Sequence, residues 1–218
     1  MYNIAIDGPA GAGKSTIAKL VAKKLGFIYV DTGSMYRTLA LACIRAGVTA
    51  QEKEKVVDVC NNSEVALEYV DGNQVVRLNG EDVSAFIRTE EVGNMTSSIA
   101  VYEPVREILV KMQQKIATEK DLVMDGRDIG SVVLPNAELK IYLTASVSTR
   151  ARRRYKELQE KGVECNINDI ERDIEERDYR DMNREVSPLT QTEDAILVDS
   201  SDMTIDEVVD KIIGYVSR

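Results

Sequence analysis

The 218-residue chain carries 28 basic and 37 acidic residues, a formal net charge of −9, 44% hydrophobic residues and no histidine. This length supports one sizeable core with room for a small inserted subdomain. The acidic balance excludes a nucleic-acid polymer as the main partner, since phosphate-backbone binding needs broad basic surface, and the lack of imidazole leaves carboxylates, arginines, lysine and metal ions held by oxygen ligands as the chemical tools.

An apolar run over 2–7 predicts a buried strand, and Gly8-Pro9-Ala10-Gly11-Ala12-Gly13-Lys14-Ser15 follows it directly. This spacing is a P-loop. Small residues let the backbone curl so that several N–H groups point into one concavity, Lys14 adds a point charge, and Ser15 adds a metal-ligating hydroxyl beside Thr16. Such a nest holds the phosphates of a nucleoside triphosphate with Mg²⁺. From 15 to 25 the spacing is helical, with Ile17, Leu20, Val21 and Leu25 on one face and Lys19, Lys23 and Lys24 on the other. A glycine-rich loop set between a strand and a helix is the context the motif requires.

Gly26 ends that helix, a second short strand is expected over 27–30, and Asp31-Thr32-Gly33 leads into a helix over 34–46. Another short helix is expected over 51–60. Between 64 and 79 the apolar period changes to two, with Asp71-Gly72-Asn73 as a turn, which predicts a β-hairpin within a small inserted lobe. A long helical stretch over 89–118 is expected to break at Glu103-Pro104, because proline cannot continue the hydrogen-bond ladder.

An apolar strand over 121–125 ends in Asp125-Gly126-Arg127-Asp128-Ile129-Gly130, and a further strand is expected over 139–143. Continuous apolar strands separated by helices indicate a parallel sheet covered on both faces. The segment opening with Arg150, Arg152, Arg153 and Arg154 reads either as a solvated helix face or as a mobile lid, with Gly162 ending its helix. A second charged helix over 170–184 places Arg177, Arg180 and Arg184 on one face. A last strand over 195–199 precedes a helix capped by Thr204 and Glu207, whose Ile205, Val208, Val209, Ile212, Ile213 and Val216 form an apolar stripe.

Cys43, Cys60 and Cys165 are far apart, odd in number and without metal-ligand spacing, so they are expected to be reduced thiols. No signal-peptide pattern precedes the first strand and no apolar run reaches the roughly 20 residues of a membrane-spanning helix, so a cytoplasmic protein with no membrane partner is expected. No heptad pattern or long exposed apolar run demands a protein partner, and a monomer is expected.

In a doubly wound sheet ligands collect outside the carboxyl ends of the strands. The P-loop, the Asp31-Thr32-Gly33 turn with Tyr36 and Arg37 after it, and the Asp125–Asp128 segment all fall there. Arginines at 37, 127, 177 and 184 suit a second anionic group, because guanidinium donors match phosphate oxygens in bidentate geometry. Asp125 reads either as a Mg²⁺ partner or as a structural hydrogen-bond acceptor for the P-loop.

The runs Ile4-Ala5-Ile6-Asp7 through the P-loop to Thr16, Asp31-Thr32-Gly33-Ser34-Met35-Tyr36-Arg37, Asp125-Gly126-Arg127-Asp128-Ile129-Gly130, and Glu176-Arg177-Asp178 with Asn183-Arg184 resemble the bacterial cytidylate kinases over essentially the whole chain. The resemblance implies a P-loop α/β fold with a core over approximately 1–35, 86–145 and 185–218, a nucleoside-monophosphate lobe over 36–85 and a lid over 146–184. It implies transfer of the γ-phosphoryl of MgATP to CMP or dCMP. By that similarity Ser97, Arg106 and Asp128 read the cytosine. Arg37, Arg127, Arg177 and Arg184, with Thr32 nearby, hold the acceptor phosphate, and Asp181 with Arg177 reaches the sugar. Arg153 and Arg154 belong to the lid over ATP. Lys14, the arginines and Mg²⁺ neutralise charge on the moving group, with Ser15 and, on the first of its two readings, Asp125 as the candidate metal ligands. A kinase of the same architecture acting on another acceptor, or a nucleotide-dependent switch, are the alternatives that the motifs leave open.

Overall fold

The computed structural model describes residues 1–70 and 73–216. Two compact units are formed, one by residues 1–29 and 120–218 and one by residues 30–119.

The first unit holds the main sheet. Its strands are β1 (Asn3–Asp7), β6 (Leu122–Gly126), β7 (Leu139–Thr144) and β8 (Ile196–Asp199), and β2 (Ile28–Asp31) enters it before the chain passes into the second unit. The spatial order is β2-β6-β1-β7-β8, with β1 pairing parallel to both β6 and β7, and β7 parallel to β8. Ile4, Ala5 and Ile6 are fully buried, as expected of a central strand whose two faces are both covered. Helix α1 (Lys14–Leu25) lays Ile17, Ala18, Val21 and Ala22 on the sheet, and α8 (Ile205–Gly214) adds Val208, Val209 and Ile212 to the same core. The capping box on α8 forms as the sequence predicts, the Thr204 hydroxyl accepting from Glu207 N–H while the Glu207 carboxylate accepts from Thr204 N–H.

Helices α6 (Val147–Glu160) and α7 (Ile167–Asn183) pair through a small apolar cluster of Ala151, Ile170 and Ile174, with Tyr155, Leu158 and Ile167 packed against it. Arg150 and Asp178 are also buried between them, and most of the rest of both helices is polar and exposed, so this pair is held by little apolar area beyond that cluster. Helix α7 stops one residue before Arg184, which takes an extended backbone as the C-cap and turns its Nε to Ser187 O at 2.6 Å. Arg184 therefore leaves the face that the three-and-four spacing assigns to it.

In the second unit, α2 (Thr32–Arg45) packs against α3 (Lys53–Asn61), α4 (Glu90–Ile99) and α5 (Glu103–Glu119). The antiparallel sheet β3 (Val65–Val70), β4 (Asn73–Leu78) and β5 (Glu81–Asp82) completes it. The expected hairpin forms in register from Val65 opposite Leu78 to Val70 opposite Asn73, while Asp71 and Gly72 of its turn lie outside the described residues. The two-residue β5 carries no periodic signal and was not legible beforehand. The predicted break in the long helical stretch falls at 100–102, and Pro104 sits in the first turn of α5, where its missing N–H costs no intrahelical bond. Within this unit α4 packs on α2, and α5 packs on α2 and α3.

Candidate active site

The P-loop follows the central strand of the sheet. Gly8 has φ +152°, and a Cβ there would lie 1.9 Å from Leu143 O, so the backbone passes β7 more closely than any side chain allows. Gly13 caps α1 in the left-handed region at φ +86°. The helix N-terminus that follows presents N–H groups and the positive end of the helix dipole, a ready anion site.

Lys14 is buried, and its Nζ donates to Pro9 O of its own loop at 2.7 Å. Burial pulls its pKa down to about 7, helped by Arg127 and opposed by Asp125, Asp7 and Asp181. Ser15 Oγ donates to Asp125 Oδ2 at 2.9 Å, and Tyr29 OH donates to Asp125 Oδ1 at 2.8 Å. The carboxylate at the end of β6 is thereby fixed beside the loop's hydroxyl. A hydroxyl and a carboxylate are hard oxygen donors of the type Mg²⁺ prefers.

Asp7, the last residue of β1, is a further organiser. Its Oδ1 accepts from Ile129 N–H at 2.8 Å and its Oδ2 from Gly130 N–H at 2.7 Å. These residues open a π-helical turn, Ile129–Val133, in which Val133 N–H reaches Asp128 O at 3.2 Å and Leu134 N–H reaches Ile129 O at 2.7 Å. The strand entering the P-loop is thus bolted to the segment carrying Arg127 and Asp128. Burial raises the Asp7 carboxyl to about 6, against the two backbone donors that lower it.

Two arginine–carboxylate contacts complete this side. Arg127 Nε meets Asp181 Oδ2 at 2.7 Å, and Arg184 Nη2 lies 3.7 Å from Asp128 Oδ1. The sequence-expected residues Arg127, Asp128, Asp181 and Arg184 are therefore brought together, and Arg177 sits one turn earlier on the exposed face of α7. Arg153 binds Ser200 O at 2.7 Å and Arg154 pairs with Glu157 at 2.7 Å. The arginine of that run that touches the P-loop is Arg150, which is buried and donates to Ala10 O at 2.8 Å.

In the second unit, Asp31 caps α2 by accepting from Ser34 N–H, and Thr32 is buried behind it. Arg37 Nη1 reaches Ile87 O at 3.3 Å, and burial lowers its pKa. Arg106 is buried with its guanidinium 5.8 Å from the Tyr36 ring centroid, a cation–π arrangement. Ser97 is exposed on α4 and donates to Gly93 O at 3.2 Å.

Sequence reasoning missed Asp7, Tyr29, Arg150 and Asp178, whose contacts tie together the strands, loops and helices around the P-loop. Asp7 had a usable signal, an ionisable residue ending an otherwise apolar central strand. The other three become visible only once the elements pack.

A P-loop on the central strand of a parallel sheet, with a hydroxyl–carboxylate pair beside it and Arg127 and Arg184 held by Asp181 and Asp128, is the arrangement of a P-loop nucleotide-binding protein. One solved structure with the same fold is an uncharacterised protein from Eubacterium ventriosum, at TM-score 0.54 and 15% identity over 100% of both chains. The chain belongs to the cytidylate kinase family, whose model matches residues 4–218. It is 50% identical to the cytidylate kinase of Caldicellulosiruptor saccharolyticus over 97% of this chain and 93% of that one. It is 48% identical to the cytidylate kinase of Lactobacillus gasseri over 100% of this chain and 95% of the other. The same identity, 48%, holds with the cytidylate kinase of Bacillus thuringiensis over 99% and 96% of the two chains.

Proposed function

We propose that this enzyme transfers the γ-phosphoryl group of ATP to CMP or dCMP, giving ADP and the corresponding diphosphate. The observation that carries this reading is the end-to-end family match combined with an intact P-loop and an acceptor-side carboxylate, Asp128, facing Arg184 at 3.7 Å.

ATP would bind with its phosphates in the nest of residues 8–16, where Lys14 exchanges its contact with Pro9 O for phosphate oxygens. Bound at Ser15 and Asp125, Mg²⁺ would supply charge neutralisation on the transferring phosphates. Arg37, Arg127, Arg177 and Arg184, with Thr32, are assigned to the acceptor phosphate, and Asp181 with Arg177 to the sugar. Ser97, Arg106 and Asp128 are assigned to the base: a carboxylate accepts from the exocyclic amine of cytosine but faces a carbonyl in uracil. Arg153 and Arg154 are assigned to closure over ATP, which excludes water and so suppresses hydrolysis. No strong base is required, because in-line transfer depends on positioning two phosphates and neutralising the charge that spreads over the moving group.

The test is ADP production from MgATP with CMP, dCMP, UMP, AMP or no acceptor in parallel. Turnover selective for CMP and dCMP is expected. Replacing Asp128 by alanine should lower kcat/KM for CMP by roughly 10- to 100-fold, the worth of a charge-assisted hydrogen bond, while leaving nucleotide binding at the P-loop intact. Selective turnover of a different acceptor would discard the base assignment, and acceptor-independent hydrolysis would discard the kinase reading.

A further inference from the structure

The least expected feature of the first unit is the burial of Arg150. This side chain is 4% exposed, and all three of its donor atoms are committed to different parts of the fold. Nε donates to Ala145 O at 2.9 Å, Nη1 donates to Ala10 O at 2.8 Å, and Nη2 meets Asp178 Oδ2 at 2.6 Å. Its stem also lies against the loop: a Cβ built on Gly11 would stand 3.4 Å from Arg150 Cβ. In a nest the N–H groups converge on the anion and leave carbonyls facing outward. Arg150 takes one of those carbonyls and carries the contact into α7.

Asp178 and Asp181 are three residues apart on α7 and share a face. One holds Arg150, from the P-loop side, and the other holds Arg127, from the end of β6. A single helix face thus fastens both the nucleotide loop and the acceptor-side loop. Fold stability does not demand such a pair, because buried ion pairs are commonly no more stabilising than apolar residues of similar volume. The Asp178 carboxylate is also only half used, its Oδ1 being buried without a hydrogen-bond partner among the described residues. A pair that is costly to bury and placed at this junction calls for a role in registry.

We propose that Arg150 and Asp178 are positioning residues that couple the P-loop to α7, so that filling the P-loop sets the placement of Arg127, Asp181 and Arg184 for the acceptor. This rests on the proposed function for the identity of the two ligands. Neither side chain is assigned a contact with substrate. The device acts through the Ala10 peptide on one side and the turn of α7 from Asp178 to Asp181 on the other.

The experiment measures CMP affinity by calorimetry, with and without a saturating non-hydrolysable ATP analogue and Mg²⁺, in the wild type, Arg150→Met and Asp178→Asn. In the wild type the analogue should tighten CMP binding by about tenfold, within the usual range for coupled sites. In both variants that tightening should fall below about twofold, while each ligand alone binds within about threefold of wild type. A purely structural role would lower thermal stability and leave the ratio unchanged, so full tightening retained in a folded variant overturns the proposal. Asp178→Asn is close to isosteric and carries the test should Arg150→Met fail to fold. Absence of tightening in the wild type also overturns the coupling, whereas absence of any CMP binding to the wild type, with analogue binding intact, overturns the acceptor assignment itself.

Discussion

Lys14 offers a direct measurement of the electrostatics of the P-loop. With burial and Arg127 both disfavouring its charge, its pKa lies at about 7, and its ammonium rests on the Pro9 carbonyl. At pH 8 an amine of that pKa is only about one-tenth protonated, and the charge of a bound triphosphate, by favouring the ammonium, should restore full protonation. Binding should therefore draw in about 0.9 proton at pH 8 and only about 0.1 at pH 6, and between pH 8 and 9 affinity should fall by close to tenfold. The assay is calorimetric titration with a non-hydrolysable MgATP analogue in buffers of different ionisation enthalpy, in which the slope of heat against buffer enthalpy counts protons. Lys14→Met should abolish the uptake. Uptake below about 0.3 proton at pH 8, or unchanged uptake in the methionine variant, would refute the argument that burial of this lysine, rather than its loop carbonyl, sets its charge before nucleotide arrives.

The buried carboxylate of Asp7, raised from 3.8 to about 6, should make the native state bind more protons than the unfolded chain between those values. Its contribution to stability is then fully present below about pH 4 and lost as pH rises through about 6, amounting to about 3 kcal/mol at roughly 1.4 kcal/mol per pH unit of displacement. Denaturant melts of wild type minus Asp7→Asn across pH 4 to 7 should show this slope, and parallel curves would contradict it. Gly8→Ala should prevent correct closure of the P-loop onto β7, with more than about 4 kcal/mol lost, since the new Cβ would meet a backbone oxygen that has no room to move. A variant with wild-type melting and nucleotide affinity would show that the approach of the two strands is not as described. Thr204→Ala, removing the hydroxyl that caps α8, should cost about 1 kcal/mol in denaturant melts without changing turnover.

Much of this molecule was legible in one dimension because the physics involved is local. The P-loop is encoded by small residues and a lysine at fixed offsets, and α1 by a stripe from Ile17 to Leu25. Thr204 and Glu207 cap α8 through a contact only three residues long, and the alternation over 65–78 specifies a hairpin register. The motifs also delivered Asp125, Arg127 and Asp128, because the end of a parallel strand is where such groups collect. What tertiary structure alone decided was which charges are buried and against what. In the arginine run from 150 to 154, nothing in the spacing distinguishes Arg150, the member locked between Ala10 and Asp178, from Arg153 on Ser200 or Arg154 on Glu157. Likewise Asp7 finds the amides of Ile129 and Gly130 over more than a hundred residues, and Tyr29 finds Asp125, only because β1, β2 and β6 are assembled in one sheet. Sequence periodicity carries the elements, since each is stabilised within a few turns of itself; the ionic ties that align them depend on distances that exist only after the sheet has formed.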